Sequence, residues 1–269
     1  MEKDVRKALD DIDSVNPFAT YLSDSTLSRV GGWIDTGSYV LNAIVSGSIH
    51  GGIPKGRVTM LAGESMTGKS LFVMKILASA QKEGLIPVIF DTENAIDPEG
   101  AERLGLDVKN VKYVPCISIE QTRNALYKFL TTVKEKKLEG KFIIAIDSLG
   151  NLQSELSLAR MGKDSTSTDM GTNARAMKSL MQTCTNLGAV TQTTILCTNH
   201  VYDNPAALFP SIEKNMPGGK SCVYLPSVTI QLARKPVKSD GGKTMDGETA
   251  VAQKNYAGII IRALTRKNR

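Results

Sequence analysis

The stretch from Arg57 to Glu83 constrains this chain most, because a buried strand, a glycine-bounded loop and an apolar helix follow one another there without a break. Val58-Thr59-Met60-Leu61-Ala62 has the composition of a strand covered on both faces. Gly63-Glu64-Ser65-Met66-Thr67-Gly68-Lys69-Ser70 then fits the phosphate-loop pattern G-x-x-x-x-G-K-[S/T] at every fixed position. Leu71, Phe72, Val73, Met74, Ile76, Leu77 and Ala80 carry on as a helix that Gly84 ends.

The residue types follow from the chemistry of a nucleoside triphosphate. Several backbone N–H groups must turn inward around the phosphates, and glycine lets the chain fold that tightly without a Cβ in the way. On this reading all of residues 63 to 70 contact the nucleotide. Lys69 reaches the β- and γ-phosphates, Ser70 ligates Mg²⁺, and the helix N-terminus adds its positive end. The competing reading is a glycine-rich turn with a surface lysine.

Downstream the pattern alternates. Residues 86 to 90 read as a strand, 98 to 104 as a short helix, 112 to 114 as a strand, and 119 to 137 as a longer helix with Leu126, Phe129, Leu130 and Val133 on one face. Phe142-Ile143-Ile144-Ala145-Ile146-Asp147-Ser148 is an apolar run ending in an acid. That is the form of a Walker B strand, whose Asp147 holds the water shell of Mg²⁺ beside Ser70. A helix at 170 to 186 and strands at 194 to 198, 228 to 233 and 258 to 264 complete the series. Such alternation predicts an α/β fold with a mainly parallel, twisted sheet and helices on both faces.

Composition excludes other classes. Among 269 residues, 41% are hydrophobic and 22% charged, as in ordinary globular domains. No run of 18 apolar residues and no signal-peptide pattern is present, so a soluble cytoplasmic protein without membrane contact is expected. Cys116, Cys184, Cys197 and Cys222 lack C-x-x-C spacing and read as reduced core residues. The net charge of +6 is C-terminal: residues 234 to 269 hold nine of the 33 Lys/Arg but three of the 27 acids, and the remainder balances. On charge alone this end fits contact with phosphates or a solvated terminus.

Residues 1 to 32 read as an N-terminal arm, with Val5, Leu9 and Ile12 forming a thin apolar stripe that fits packing on its own domain or on a neighbouring copy. Residues 33 to 269 form the core. Two long polar stretches, 154 to 169 and 201 to 219, follow central strands, at the carboxyl ends where open α/β sheets bind ligands.

Several phrases together resemble the RecA family of recombinases, and most closely the phage UvsX type. They are residues 34 to 39 (IDTGSY), 62 to 65 (AGES), 90 to 97 (FDTENAID), 146 to 152 (IDSLGNL) and 198 to 202 (TNHVY). The resemblance implies a RecA-like ATPase core binding ATP and Mg²⁺. It assigns Glu93 to polarising the water that attacks the γ-phosphate, a role for which Asp91 and Asp97 compete on position alone. Asp97 joins the nucleotide contacts. His200 takes the place of the polar sensor coupling the γ-phosphate to DNA, where bacterial RecA has glutamine; read alone, it is a strand-end histidine. The polar stretches correspond to two DNA-binding loops, offering Arg160, Lys163 and Lys214 for phosphates and Tyr202 and Phe209 for stacking. Lys267 and Arg269 resemble the basic pair that a neighbouring protomer inserts at the γ-phosphate.

Two departures stand out. The position at which the family often stacks an aromatic on adenine is Gly100, and the chain stops at Arg269, short of the C-terminal part usual in UvsX-like proteins. The resemblance implies a DNA-dependent ATPase forming helical filaments on single-stranded DNA, pairing it with homologous duplex DNA, and working with mediator and single-strand-binding proteins. The alternatives are a RecA-fold hexameric helicase or other motor, or a nucleotide-binding interaction protein with little turnover.

Overall fold

The computed structural model describes residues 2–16, 18–25, 27–161, 170–203, 213–238 and 256–268. In chain order these form α1 (Glu2–Val15), β1 (Trp33–Ile34), α2 (Tyr39–Ser46), β2 (Ile53–Pro54), β3 (Val58–Gly63), α3 (Lys69–Lys82), β4 (Ile86–Asp91), α4 (Pro98–Arg103), β5 (Lys112–Pro115), α5 (Ile119–Glu135), β6 (Phe142–Asp147), α6 (Glu155–Met161), α7 (Met170–Val190), β7 (Thr194–Asn199), α8 (Ser221–Tyr224), β8 (Val228–Lys238) and β9 (Tyr256–Asn268).

Seven strands make one sheet in the order β5-β4-β6-β7-β3-β8-β9, parallel throughout except for the antiparallel β8–β9 pair. Alternate residues of each central strand enter opposite cores, which is why these strands read as continuous apolar runs. Met60, Phe90, Ile144 and Ile146 pack against Leu126 and Leu130 of α5 and Leu180 and Met181 of α7. Leu61, Ile89, Ile143 and Leu196 pack on the other face against Val73, Ile76 and Leu77 of α3. The expected α/β fold with helices on both faces is what the chain adopts.

Two elements differ from the sequence expectation. The stretch from 154 to 169 begins with a helix, α6, because the Ser154 hydroxyl accepts the Ser157 N–H at 3.2 Å and so caps a turn that polar composition concealed. The last two strands run longer than their apolar cores, as β8 and β9 pair from Val228↔Asn268 to Lys238↔Tyr256 with register shifts after Thr229 and Val237. Ladder hydrogen bonds, rather than alternating hydrophobicity, carry the cationic ends of this ribbon. Among the described residues, no helix is long and apolar enough to cross a membrane.

Parallel pairing brings the carboxyl ends of the strands level. Asp91 of β4 stands opposite Asp147 of β6, and Ala62 of β3 opposite Asn199 of β7. The polar residues that end these strands therefore share one rim of the sheet.

Candidate nucleotide-binding site

The phosphate loop leaves β3 at Gly63 and enters α3 at Lys69. A Cβ built on Gly63 would lie 2.5 Å from Thr67 Oγ1 and 2.9 Å from the Leu232 carbonyl, so the first glycine is required by close approach. Gly68 is left-handed at φ 86°, and no side chain caps the helix after it. The first-turn amides of α3 are thus left for an anion.

Lys69 folds back over its own loop, its ammonium donating to the carbonyls of Gly63 and Glu64 at 2.9 Å each. Burial lowers its pKa, and the negative charges of Asp147 and Glu93 offset part of that. Ser70 donates to Asp147 Oδ2 at 2.9 Å, while the Thr198 hydroxyl bonds the other carboxylate oxygen. Burial raises the pKa of Asp147 above the usual carboxylate value. Its bonds to Thr198 and Ser70 oppose that rise, and the charges of Glu93 and Asp91 reinforce it.

Glu93 sits just past β4. Its Oε1 accepts the Ser148 hydroxyl at 2.8 Å and lies 3.3 Å from His200 Nε2. His200, read from the resemblance as a sensor of the γ-phosphate, thus lies beside Glu93 at the rim of the sheet. Gly150 makes room for the pair, since a Cβ there would lie 2.8 Å from His200 Cδ2. Asp97 caps α4, accepting the Glu99 N–H at 3.1 Å, and pairs with Arg103 at 3.3 Å. A cleft of about 220 Å³ borders Ser70, Glu93, Asp97, Gly100 and Asp147. Oxygen donors beside a glycine-cradled lysine fit a nucleoside triphosphate with Mg²⁺, a hard cation that prefers such ligands.

The second loop and the C-terminal ribbon meet nearby. Lys214 pairs with Glu64 of the phosphate loop and, at 3.3 Å, with Asp203. Arg266 donates to the Lys214 carbonyl at 2.6 Å and to Glu213 at 3.0 Å. Tyr202, bonded through its backbone to Asn215, lines a second hollow of about 220 Å³ with Lys214, Lys220, Tyr224 and Arg266. Lys267 donates to the carbonyls of Tyr224 and Pro226 of its own chain. Arg160 is half-buried at the end of α6. Lys163, Phe209 and Arg269 lie outside the described residues.

Sequence reasoning passed over three contributors: Ser148, Thr198 and Tyr113, which donates to Asp91 Oδ2 at 3.1 Å. Ser148 follows the acid directly and was open to notice. Thr198 and Tyr113 depend on strand order, which spacing along the chain does not carry.

A phosphate loop joining a central parallel strand to a helix, faced by an acid ending the next strand but one, defines the phosphate-loop class of α/β nucleotide-binding folds. Within that class the chain belongs to the RecA family, as a family profile for the RecA N-terminal domain matches residues 5–260. It is 32% identical over 222 residues to Protein RecA of Chlorobium chlorochromatii, which covers 81% of this chain and 58% of that protein. It is 28% identical over 258 residues to Protein RecA of Rubrobacter xylanophilus, covering 93% and 71%. Protein RecA of Rhodopirellula baltica is 30% identical over 84% of this chain and 56% of its own length. The chain thus spans somewhat more than half the length of most of these relatives.

Proposed function

We propose that the chain hydrolyses ATP in the presence of Mg²⁺ and uses that cycle as an assembly switch, forming helical filaments on single-stranded DNA and pairing it with homologous duplex in recombination and repair. The observation that carries this reading is the convergence of Ser70, Glu93 and Asp147 on one cleft in a RecA-family chain, with Lys69 near enough to feel the charges of both acids.

Lys69 steadies the β- and γ-phosphates, and Ser70 and Asp147 hold Mg²⁺, which when bound supplies positive charge against the transferring phosphoryl group. Glu93 takes the proton of the attacking water, held in place by Ser148 and His200. Gly63 to Ser70 and Asp97 contact the nucleotide. Arg160, Lys163 and Lys214 meet DNA phosphates, with Tyr202 and Phe209 stacking on bases. The bond from Lys214 to Glu64 supports a link between the DNA loop and the phosphate loop.

Lys267 and Arg269 act in trans at the neighbour's γ-phosphate, as an arginine finger does. Residues 1–32 are an arm that contacts the adjacent protomer; the exposure of Val5, Leu9 and Ile12 on α1 supports this. His200 in place of glutamine supports a phage UvsX-type member acting in the host cytoplasm, with mediator and single-strand-binding proteins as partners. The test is electron microscopy of the protein with single-stranded DNA and a slowly hydrolysed ATP analogue. Helical filaments are expected; closed rings or no assembly would overturn the reading.

A further inference from the structure

Glu93 is held at both ends of its residue. Its side chain meets Ser148 and His200, whereas its backbone is fixed by Asp91, which ends β4 at the border of the nucleotide cleft. Asp91 Oδ1 accepts the N–H groups of Glu93 and Asn94, both at 2.9 Å. This closes a tight turn at the end of β4 in which Asn94 is left-handed at φ 52°.

The second carboxylate oxygen of Asp91 accepts the Tyr113 hydroxyl at 3.1 Å, and the same hydroxyl lies 3.4 Å from Asn94 Oδ1 in the turn. Asp91 is 1% exposed, so three donors compensate an acid that water barely reaches. Tyr113 comes from β5, the strand beside β4, in the register that pairs Ile89 with Tyr113 and Asp91 with Pro115. Its ring walls an apolar hollow of about 210 Å³ with Ile96, Pro98, Ala101 and Val111, and Ile96 and Ala101 also border the nucleotide cleft. Burial raises the pKa of its hydroxyl, with the bond to Asp91 adding to the effect, so the proton stays on as a donor.

We propose that Tyr113 and Asp91 are positioning residues for hydrolysis: the tyrosine hydroxyl anchors the Asp91 carboxylate, which locks the turn that aims Glu93 at the attacking water. This rests on the ATPase reading above. Tyr113 does not border the nucleotide cleft, and Asp91, which does, is 1% exposed and commits its carboxylate to the turn and the tyrosine. Without the hydroxyl, Asp91 can rotate away from the turn, and the Glu93 carboxylate samples positions beside the productive one. Misplacement of that kind lowers turnover without weakening phosphate contacts made through Lys69 and the loop.

The experiment is a double-mutant cycle of Tyr113→Phe and Glu93→Gln in the full 269-residue chain, with steady-state ATP hydrolysis measured on saturating single-stranded DNA. Tyr113→Phe keeps the ring but takes one donor from a buried carboxylate, so the melting temperature should fall by no more than about 8 °C and the chain should stay folded at the assay temperature. Loss of one hydrogen bond to a charged group predicts a kcat about tenfold lower, with the KM for ATP within twofold. In the Glu93→Gln background the same change should have no further effect on kcat. An unchanged kcat in Tyr113→Phe, a raised KM, or equal fold losses in both backgrounds overturns the positioning role. If Glu93→Gln itself leaves turnover at the parent level, or the parent shows none, the ATPase reading fails and this inference falls with it.

Discussion

The Ser70 hydroxyl donates to Asp147 Oδ2 across 2.9 Å and thereby ties the first turn of α3 to the end of β6. The two residues are 77 positions apart in sequence, and β3, which leads into α3, is separated from β6 in the sheet by β7. A buried carboxylate facing two hydroxyls is poorly placed for folding and well placed for a divalent cation. Asp147 accordingly carries a cost in stability.

That cost has a definite pH dependence. Asp147 has a native pKa above its ordinary value, so the folded state binds its proton more tightly than the unfolded chain does. Its contribution is whole below the unfolded value and is lost as pH rises through the raised native value. Asp147→Asn should therefore raise the melting temperature at neutral pH without nucleotide by about 2–4 °C. It should also abolish the added stabilisation by Mg²⁺ and ATP. Scanning calorimetry from acid to neutral pH checks both, and a lower melting temperature with retained Mg²⁺ response would contradict them.

Glu93→Gln keeps the shape of the side chain, and with it a partner for Ser148. It removes the proton acceptor. Nucleotide affinity should stay within about threefold, while hydrolysis falls by about 10²–10⁴-fold. Equilibrium binding of a fluorescent ATP analogue, read beside phosphate release, separates the two effects. Affinity lost in parallel with turnover would make Glu93 a structural group.

All four cysteines are free and buried. Burial is the main cause that pushes the Cys222 thiol up to about 12, with Cys184 adding to it and Ser221 opposing. Cys197 is also raised, by its bond to Cys184 and by burial, and Cys116 by burial. Thiolate is the reactive form, so a thiol reagent at pH 8 should label none of them within minutes in the native protein. In denaturant all four should react. Rapid native labelling of Cys197 or Cys222 would show that the core beside α7 opens.

The fold was legible because its central strands are covered on both faces and its phosphate loop has fixed spacing. Lys69, Ser70 and Asp147 could be named from the sequence, since the first two hold fixed places in the phosphate loop and the third ends an apolar run. What stayed hidden depends on which strands are neighbours. Thr198 reaches Asp147 only because β7 lies beside β6, and Tyr113 reaches Asp91 only because β5 lies beside β4. Helix α6 was hidden for another reason, as a serine cap and a few local bonds outweigh a polar composition. Lys214 was read as a cation for DNA from its loop alone, and its bond to Glu64 across 150 positions carries no signal in spacing.

ATP hydrolysis by the 269-residue chain, measured as phosphate release with and without single-stranded DNA over a range of protein concentrations, tests the central claim most directly. Turnover per protomer should rise with added DNA and with protein concentration, because Lys267 and Arg269 would complete a neighbour's site and not their own. Lys69→Ala should lower it by at least about a hundredfold. Turnover indifferent to DNA and concentration, or Lys69→Ala within a few-fold of the parent, would contradict the account.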